Sequence, residues 1–103
     1  MAFVRTVTFT LPREDANEIR PGGPVYNSLV GGSKYIAQFA PGLIQTGMWR
    51  GVGTGGNILF TMFTEWSSLA ELQVYANQTT IKEIETLLKG TAPVTVNVYE
   101  VIG

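Results

Sequence analysis

The sequence of 103 residues predicts an α+β fold in which four antiparallel strands form one sheet with helices packed against it. Alternating segments rich in β-branched residues at both ends of the chain are typical of strands. Two capping motifs in the second half mark helix starts. The composition, 45% hydrophobic against 15% charged, supports a packed core. The length suits one domain, residues 1–103.

The first half contains two predicted strands joined by a helix. Phenylalanine, valine and leucine alternate with threonine over residues 2–11, which predicts the first strand. Charged residues and then prolines and glycines over 13–24 predict a solvated excursion. Apolar residues at near-helical spacing predict a helix over 25–40, kinked or divided at its central glycines. Residues 43–52 predict the second strand.

A glycine-rich run over residues 51–57 formally contains the pattern G-x-G-x-x-G of dinucleotide-binding proteins. That pattern binds a dinucleotide only where a helix follows at once. Here the run is followed by the apolar residues 58–64, which predict a third strand. The glycines therefore predict the turn of a β-hairpin and no nucleotide site.

Two capping boxes organise the second half of the chain. Ser68 to Glu71 opens a short helix with Leu69, Leu72 and Ala76 on its apolar side. Thr80 to Glu83 opens a longer one, whose apolar stripe is Ile81, Ile84, Leu87 and Leu88. The β-branched residues 94–102 predict the last strand. The resulting βαββαβ order predicts a ferredoxin-like plait, with helices on one face of a four-stranded antiparallel sheet.

Apolar residues fall on both faces of the predicted strands. The residues opposite the main apolar face include Val4, Leu59, Phe63 and Tyr99. A sheet with two apolar faces needs a cover on each, and a chain of this length can cover the second only with another copy of itself. The sequence therefore predicts a homodimer whose sheets pack face to face.

The composition also excludes several classes of function. The chain has no cysteine and no histidine, which excludes disulfides, thiol nucleophiles, Cys/His zinc sites and His-based triads, so no metal or cofactor is expected. Its net charge of −1 and lack of a basic run argue against nucleic acid as a partner. No apolar run approaches the roughly 20 residues of a membrane span, and no targeting signal is visible, which predicts a cytoplasmic protein without a membrane partner.

Three segments carry a resemblance to a known family: Ala40-Pro41-Gly42-Leu43-Ile44, Thr64-Glu65-Trp66-Ser67-Ser68 and Val98-Tyr99-Glu100-Val101-Ile102. Together they resemble the dimeric α+β barrel superfamily, and within it the antibiotic-biosynthesis-monooxygenase type. Members of that group include cofactor-independent monooxygenases acting on polycyclic aromatic polyketides, haem-degrading enzymes and proteins with no assigned activity. The haem-degrading branch needs a histidine, which this chain lacks. The resemblance therefore implies the fold first, and function only through particular residues.

The candidate catalytic residues are Trp66, Arg5 and Asn97. Trp66 matches a tryptophan that lines the pocket between sheet and helices in several enzymes of the family, although a core role is the more common one for this residue. Arg5 could stabilise a substrate anion, or form an ion pair between subunits, for instance with Glu65 or Glu100. Asn97 could orient a substrate, or bond within the dimer. Candidate substrate-binding residues are Tyr35, Trp49, Arg50 and Tyr99.

Two functions remain open at this stage. One is a cofactor-independent monooxygenase-like enzyme that holds a planar aromatic or polyketide-like substrate between sheet and helices. The other is a non-catalytic dimer that binds a small hydrophobic ligand or serves as a stress-related or assembly module. A pocket with a perturbed arginine or tyrosine beside Trp66 would favour the first function. An exposed cluster of aromatic and methionine side chains without convergent polar groups would favour the second.

Overall fold

The computed structural model describes residues 1–14, 31–53, 55–91 and 93–103. Within them the elements follow the predicted order, with two helices in the second crossover. The elements are β1 (Phe3–Pro12), α1 (Gly31–Gln38), β2 (Leu43–Arg50), β3 (Asn57–Trp66), α2 (Leu69–Ala76), α3 (Thr79–Thr91) and β4 (Val94–Glu100). Most of the predicted excursion over 13–24, and the predicted helical residues 25–30, lie outside the described residues.

The strands form one antiparallel sheet in the order β2-β3-β1-β4. Arg5 of the central strand β1 lies opposite Thr64 of β3 and Val98 of β4. Because successive residues of a strand point to opposite faces, this register assigns the paired strand residues to one of two faces, with one irregularity in β2 between Leu43 and Gln45. The helices pack on the face that carries Arg5 and Val7, which confirms the ferredoxin-like α+β class.

The core lies between this sheet face and the helices, in two clusters. One consists of Val7, Phe9, Ile58, Phe60, Met62 and Leu88. The other surrounds the end of β3 and consists of Ala37, Trp66, Leu72, Tyr75 and Ile81. Ala40 and Leu43, on either side of the turn between α1 and β2, pack against the second cluster. Between them Gly42 has a φ of 87°, a backbone conformation that favours glycine.

The glycine-rich run forms the β2–β3 hairpin turn, as predicted. β2 ends at Arg50 and β3 begins at Asn57, so no helix follows the glycines. The Arg13 guanidinium donates hydrogen bonds to the carbonyl of Gly53 at 2.7 Å and to that of Gly55 at 2.9 and 3.1 Å. Arg13, the residue that follows β1, thus stabilises the turn.

The two capping motifs behave differently. Ser68 caps α2 as predicted, because its Oγ accepts the backbone N–H of Glu71 at 3.2 Å. The second motif is displaced: α3 begins at Thr79, and the backbone N–H of Lys82 donates to the carbonyl of Gln78 at 3.1 Å. The short connection from α2 therefore starts α3 before Thr80, which lies in the first turn instead of capping it.

Both predicted apolar stripes contain one wrong member. Leu69 of α2 is 40% exposed and Leu87 of α3 is 61% exposed. The residues that face the sheet instead include Tyr75 on α2 and Glu85 on α3. In α3 the buried positions are 81, 84 and 88, and position 85 lies between them on the same side of a 3.6-residue helix. The helical spacing thus turns a carboxylate toward the sheet.

The second sheet face, here called the open face, carries no helix among the described elements. It holds Val4, Leu59, Phe63, Trp49, Asn97 and Tyr99, by the strand register. Leu59 is 49% exposed and Trp49 60%. The Trp49 ring stacks on Phe63 with a centroid distance of 4.5 Å. Among the described helices, none is both long and apolar enough to cross a membrane.

Candidate functional site

A pocket lies between the helices and the sheet, and we call it the helix-side pocket. Described residues from all three helices and from β1, β2 and β3 line it. Its cavity volume is about 20 Å³, within about 360 Å³ of empty space that includes solvent at its mouth. The polar residues among its lining are Arg5, Ser33, Thr46, Thr64, Tyr75 and Glu85. Convergent polar groups in an otherwise apolar pocket are typical of a ligand site.

The centre of this pocket is an ion pair between Arg5 of β1 and Glu85 of α3. Arg5 Nη2 lies 2.6 Å from Glu85 Oε1, and the two side chains are only 9% and 14% exposed. Arg5 therefore pairs within its own chain, and with neither Glu65 nor Glu100. Glu65 lies on the open face, where it accepts a hydrogen bond from Gln45 at 2.7 Å.

Tyr75 brings a phenol next to this ion pair. It is only 3% exposed, and its hydroxyl donates to the Ser33 carbonyl at 3.5 Å. Burial raises the pKa of Tyr75 from 10.0 to about 12; the Arg5 charge lowers it and the Glu85 charge raises it, each by less than burial does. At neutral pH Tyr75 is therefore a neutral hydrogen-bond donor and cannot act as a base.

The raised pKa of Tyr75 should appear in the alkaline stability of the protein. Below pH 10 the phenol is neutral in both states, whereas between pH 10 and about 12 it ionises only in the unfolded chain. Two pKa units correspond to about 2.7 kcal/mol. We therefore expect the free energy of unfolding to fall by up to about 3 kcal/mol over this range, as measured by urea denaturation at a series of pH values.

The comparison that isolates Tyr75 uses two variants. Tyr75→Phe should flatten the alkaline decline, whereas Tyr35→Phe, at a tyrosine of α1 that is 63% exposed, should leave it as in the wild type. An equal decline in Tyr75→Phe and in the wild type would show that the buried phenol does not cause it.

Trp66 lies behind Tyr75. It is 0% exposed, packs in the second core cluster, and its ring centroid is 4.8 Å from that of Tyr75. Its Nε1 is buried without a hydrogen-bond partner among the described residues. Tyr75, not Trp66, is the aromatic side chain from this cluster that lines the pocket.

The other sequence-predicted residues lie elsewhere. Asn97, Trp49 and Tyr99 are exposed on the open face, opposite to Arg5 and Trp66. Tyr35 is 63% exposed on α1, where it contacts Phe39 and lines a shallow groove. The Arg50 guanidinium lies 5.8 Å from the centre of the Phe60 ring, near the end of β2. The prediction that these residues share one substrate pocket is therefore wrong within one chain. The sheet separates Asn97 and Tyr99 from Arg5 and Trp66.

Sequence reasoning selected neither Glu85 nor Tyr75 as a site residue. The signal for Glu85 was present: it stands four residues after Ile81 and three before Leu88, inside the apolar stripe of α3. An acidic residue within such a stripe needs a buried partner, and β1 carries the arginine that supplies it. The pocket hydroxyls of Thr46 and Thr64 had no comparable signal, because threonine is common in strands.

No protein-family model matches the sequence, and no curated protein matches it either. Solved structures do match. SnoaB, a cofactor-independent oxygenase from Streptomyces nogalater, superposes with a TM-score of 0.73 at 12% identity, covering 97% of this chain and 92% of its own. A protein from Deinococcus radiodurans, provisionally assigned as an antibiotic biosynthesis monooxygenase, superposes with a TM-score of 0.73 at 14% identity. This match covers 98% of this chain and 93% of that protein. Rv0793 from Mycobacterium tuberculosis superposes with a TM-score of 0.70 at 16% identity, and the match covers 100% of this chain and 97% of Rv0793.

These superpositions extend over nearly the whole of both chains. They confirm at the level of fold the resemblance predicted from the sequence. The chain shares the ferredoxin-like α+β fold of these proteins. At these identities the likeness concerns the fold, and function has to be argued from the pocket.

Proposed function

We propose that the protein binds a planar aromatic, polyketide-like compound in the helix-side pocket and oxygenates it without a cofactor. The observation that carries this proposal is the convergence of the Arg5–Glu85 pair and the neutral Tyr75 phenol in one pocket beside Trp66. A perturbed tyrosine at this place is the feature that distinguishes an enzyme site from an apolar binding surface. SnoaB, which shares the fold, is a cofactor-independent oxygenase.

Such a reaction requires few functional groups from the protein. A deprotonated substrate can itself pass electrons to O₂, so the site has to exclude water, hold the ring and stabilise an anion. Arg5 is positioned to stabilise the anion, and the Tyr75 hydroxyl can donate a hydrogen bond to a substrate oxygen. None of these steps requires a histidine or cysteine, and the chain has neither.

The size of the pocket limits the ligand. Its cavity volume of about 20 Å³ is far below the about 300–1,000 Å³ of typical ligand pockets. A ring system therefore enters only if lining side chains change rotamer. Met62 lines the pocket, and methionine is the apolar side chain best able to do so.

The test uses anthrone as the probe, incubated with the protein in aerated buffer. Oxygenation would convert anthrone and O₂ into anthraquinone and water, with one oxygen atom in the new carbonyl. We expect oxygen uptake above the rate without protein, in equal amount to the quinone formed, and its loss in Arg5→Met. Leu87→Met, at an exposed position of α3, is the control for handling and purity.

Two other outcomes contradict the catalytic part of the proposal to different degrees. Binding of anthrone without oxygen uptake would leave the pocket as a ligand site and support the non-catalytic alternative. If anthrone neither binds nor causes oxygen uptake, the assignment of the pocket to planar aromatic compounds is contradicted.

We also infer that the protein acts as a homodimer through the open face. This face exposes apolar and aromatic side chains, including Leu59 on the internal strand β3 and Trp49 on the edge strand β2. Two central threonines, Thr8 and Thr61, are hydrogen-bonded to each other at 3.2 Å, so their hydroxyls pair within the chain. An apolar sheet face of this kind matches a second copy of itself.

Native mass spectrometry tests the dimer. The wild type should appear at about twice 11.2 kDa. Leu59→Asp places a carboxylate in the proposed interface and should give the monomer, whereas Val74→Asp, at an exposed position of α2, should remain dimeric. A monomeric wild type, or equal behaviour of the two variants, would contradict the assignment of this face.

A further inference from the structure

We infer that Glu85 is the base that removes the substrate proton, and that Arg5 is transferred from Glu85 to the resulting anion. This inference rests on the proposed function, since it assigns the first chemical step in the same pocket. It follows from three observations: which pocket groups can accept a proton, how Glu85 is held, and what happens to the buried charges.

The first observation is the chemistry of the lining. Among the described residues that line the pocket, Glu85 is the only carboxylate. The facing group from β1 is the Arg5 cation, and the facing group from α2 is the phenol of Tyr75, whose pKa of about 12 keeps it protonated. The contributions of α1, β2 and β3 to the polar lining are the hydroxyls of Ser33, Thr46 and Thr64. Of this set only Glu85 is a carboxylate, a class of side chain that serves as a general base.

The second observation is the accessibility of the carboxylate. Glu85 Oε1 contacts Arg5 Nη2 at 2.6 Å, yet 14% of the side chain is exposed. A carboxylate has two oxygens and about four acceptor positions, so contact with Arg5 leaves acceptor positions for a substrate hydroxyl. Glu85 therefore combines a fixed position in the pocket with contact to its open volume.

The third observation concerns the charges. In the proposed step the O–H bond of a phenolic or enolic hydroxyl breaks, and the proton forms a new O–H bond on Glu85. The electron pair stays on the substrate oxygen, which becomes an anion beside Arg5. One buried ion pair thus replaces another, and no unpaired charge is created in a site where it would be costly. The existing pair stores the cation in the place where the anion will form.

The test follows the proton. The probe is 1,8-dihydroxyanthraquinone at pH 6.5, where the free compound is mainly neutral. Its neutral form is yellow and its ionised form is red, so the visible spectrum distinguishes the two. Proton exchange with the solvent is obtained from calorimetric titrations in buffers of different ionisation enthalpy. In the wild type we expect the absorption of the anion with no proton released, because Glu85 keeps it.

The Glu85→Gln variant removes the acceptor while retaining the size of the side chain. The bound probe is then expected either to release one proton per molecule as it ionises beside Arg5, or to remain neutral. Glu83→Gln removes the same charge at an exposed position of α3 and should behave as the wild type. Far-UV circular dichroism checks that each variant is folded.

Two results in the wild type would overturn the inference, whatever the variant does. A bound probe that stays neutral would show that no group in the pocket takes its proton. A bound anion accompanied by full proton release would show that the solvent, and not Glu85, takes it. Both leave the pocket standing as a binding site, whereas failure of the probe to bind contradicts the proposed function together with the role of Glu85.

Discussion

Replacing Trp66 with alanine is expected to lower the free energy of unfolding by about 3–5 kcal/mol, the usual loss for a fully buried aromatic residue. Trp66 is 0% exposed and packs against Tyr75 in the second core cluster. Since single domains are stable by only about 5–15 kcal/mol, such a loss approaches complete unfolding. Urea denaturation followed by far-UV circular dichroism measures it.

Two further variants separate the core role of Trp66 from a role in the reaction. Phe39→Ala, at an aromatic residue that is 70% exposed, should cost far less stability. Trp66→Phe should retain most of the packing. If Trp66→Phe also retains oxygen uptake with anthrone, the tryptophan ring is a core element and not a wall of the substrate site. A Trp66→Ala variant as stable as Phe39→Ala would show that the described packing of this ring is wrong.

Replacing Arg5 with methionine is expected to lower the free energy of unfolding by a similar amount, about 3–5 kcal/mol, because the Glu85 carboxylate is left buried without its partner. The Arg5 and Glu85 side chains are 9% and 14% exposed, so solvent can compensate only in part. The same denaturation experiment applies.

A double-mutant cycle shows whether the cost comes from the ion pair. Combining Arg5→Met with Glu85→Met removes both charges and should restore most of the stability lost in Arg5→Met alone. If the two single losses simply add, the two side chains do not interact, which would contradict the geometry at the centre of the pocket.

Most of the fold was predictable because its signals are local. The β-branched alternation of β1, the glycine turn between β2 and β3, and the Ser68 cap each depend on a few neighbouring residues. The failures occurred where tertiary contacts decide. The start of α3 is set by its short connection to α2, and the facing side of α3 includes Glu85 instead of Leu87, because burial follows the packing of the helix and not the hydropathy of each residue.

The pocket was less predictable than the fold. Arg5 could be selected from the sequence as an unusual charge in a strand, and Glu85 as an acidic residue within the apolar stripe of α3. That these two residues form a pair depends on a tertiary contact between positions 80 residues apart. Asn97 and Tyr99 were grouped with Trp66 although strand alternation places them on the other face. Alternation within the last strand already places Tyr99 opposite the main apolar face, and Asn97, two residues earlier, shares its face. The register between strands then shows that Trp66 lies on the other face.

The location of the bound ligand is the measurement that tests this account most directly. The ¹H–¹⁵N amide spectrum of the isotope-labelled protein is recorded during titration with 1,8-dihydroxyanthraquinone. The expected result is that the largest shift changes occur at Arg5, Thr46, Thr64, Tyr75 and Glu85, which surround the helix-side pocket. Changes confined to the open face, at residues such as Thr8, Asn97 and Tyr99, would contradict the assignment of the pocket as the binding site.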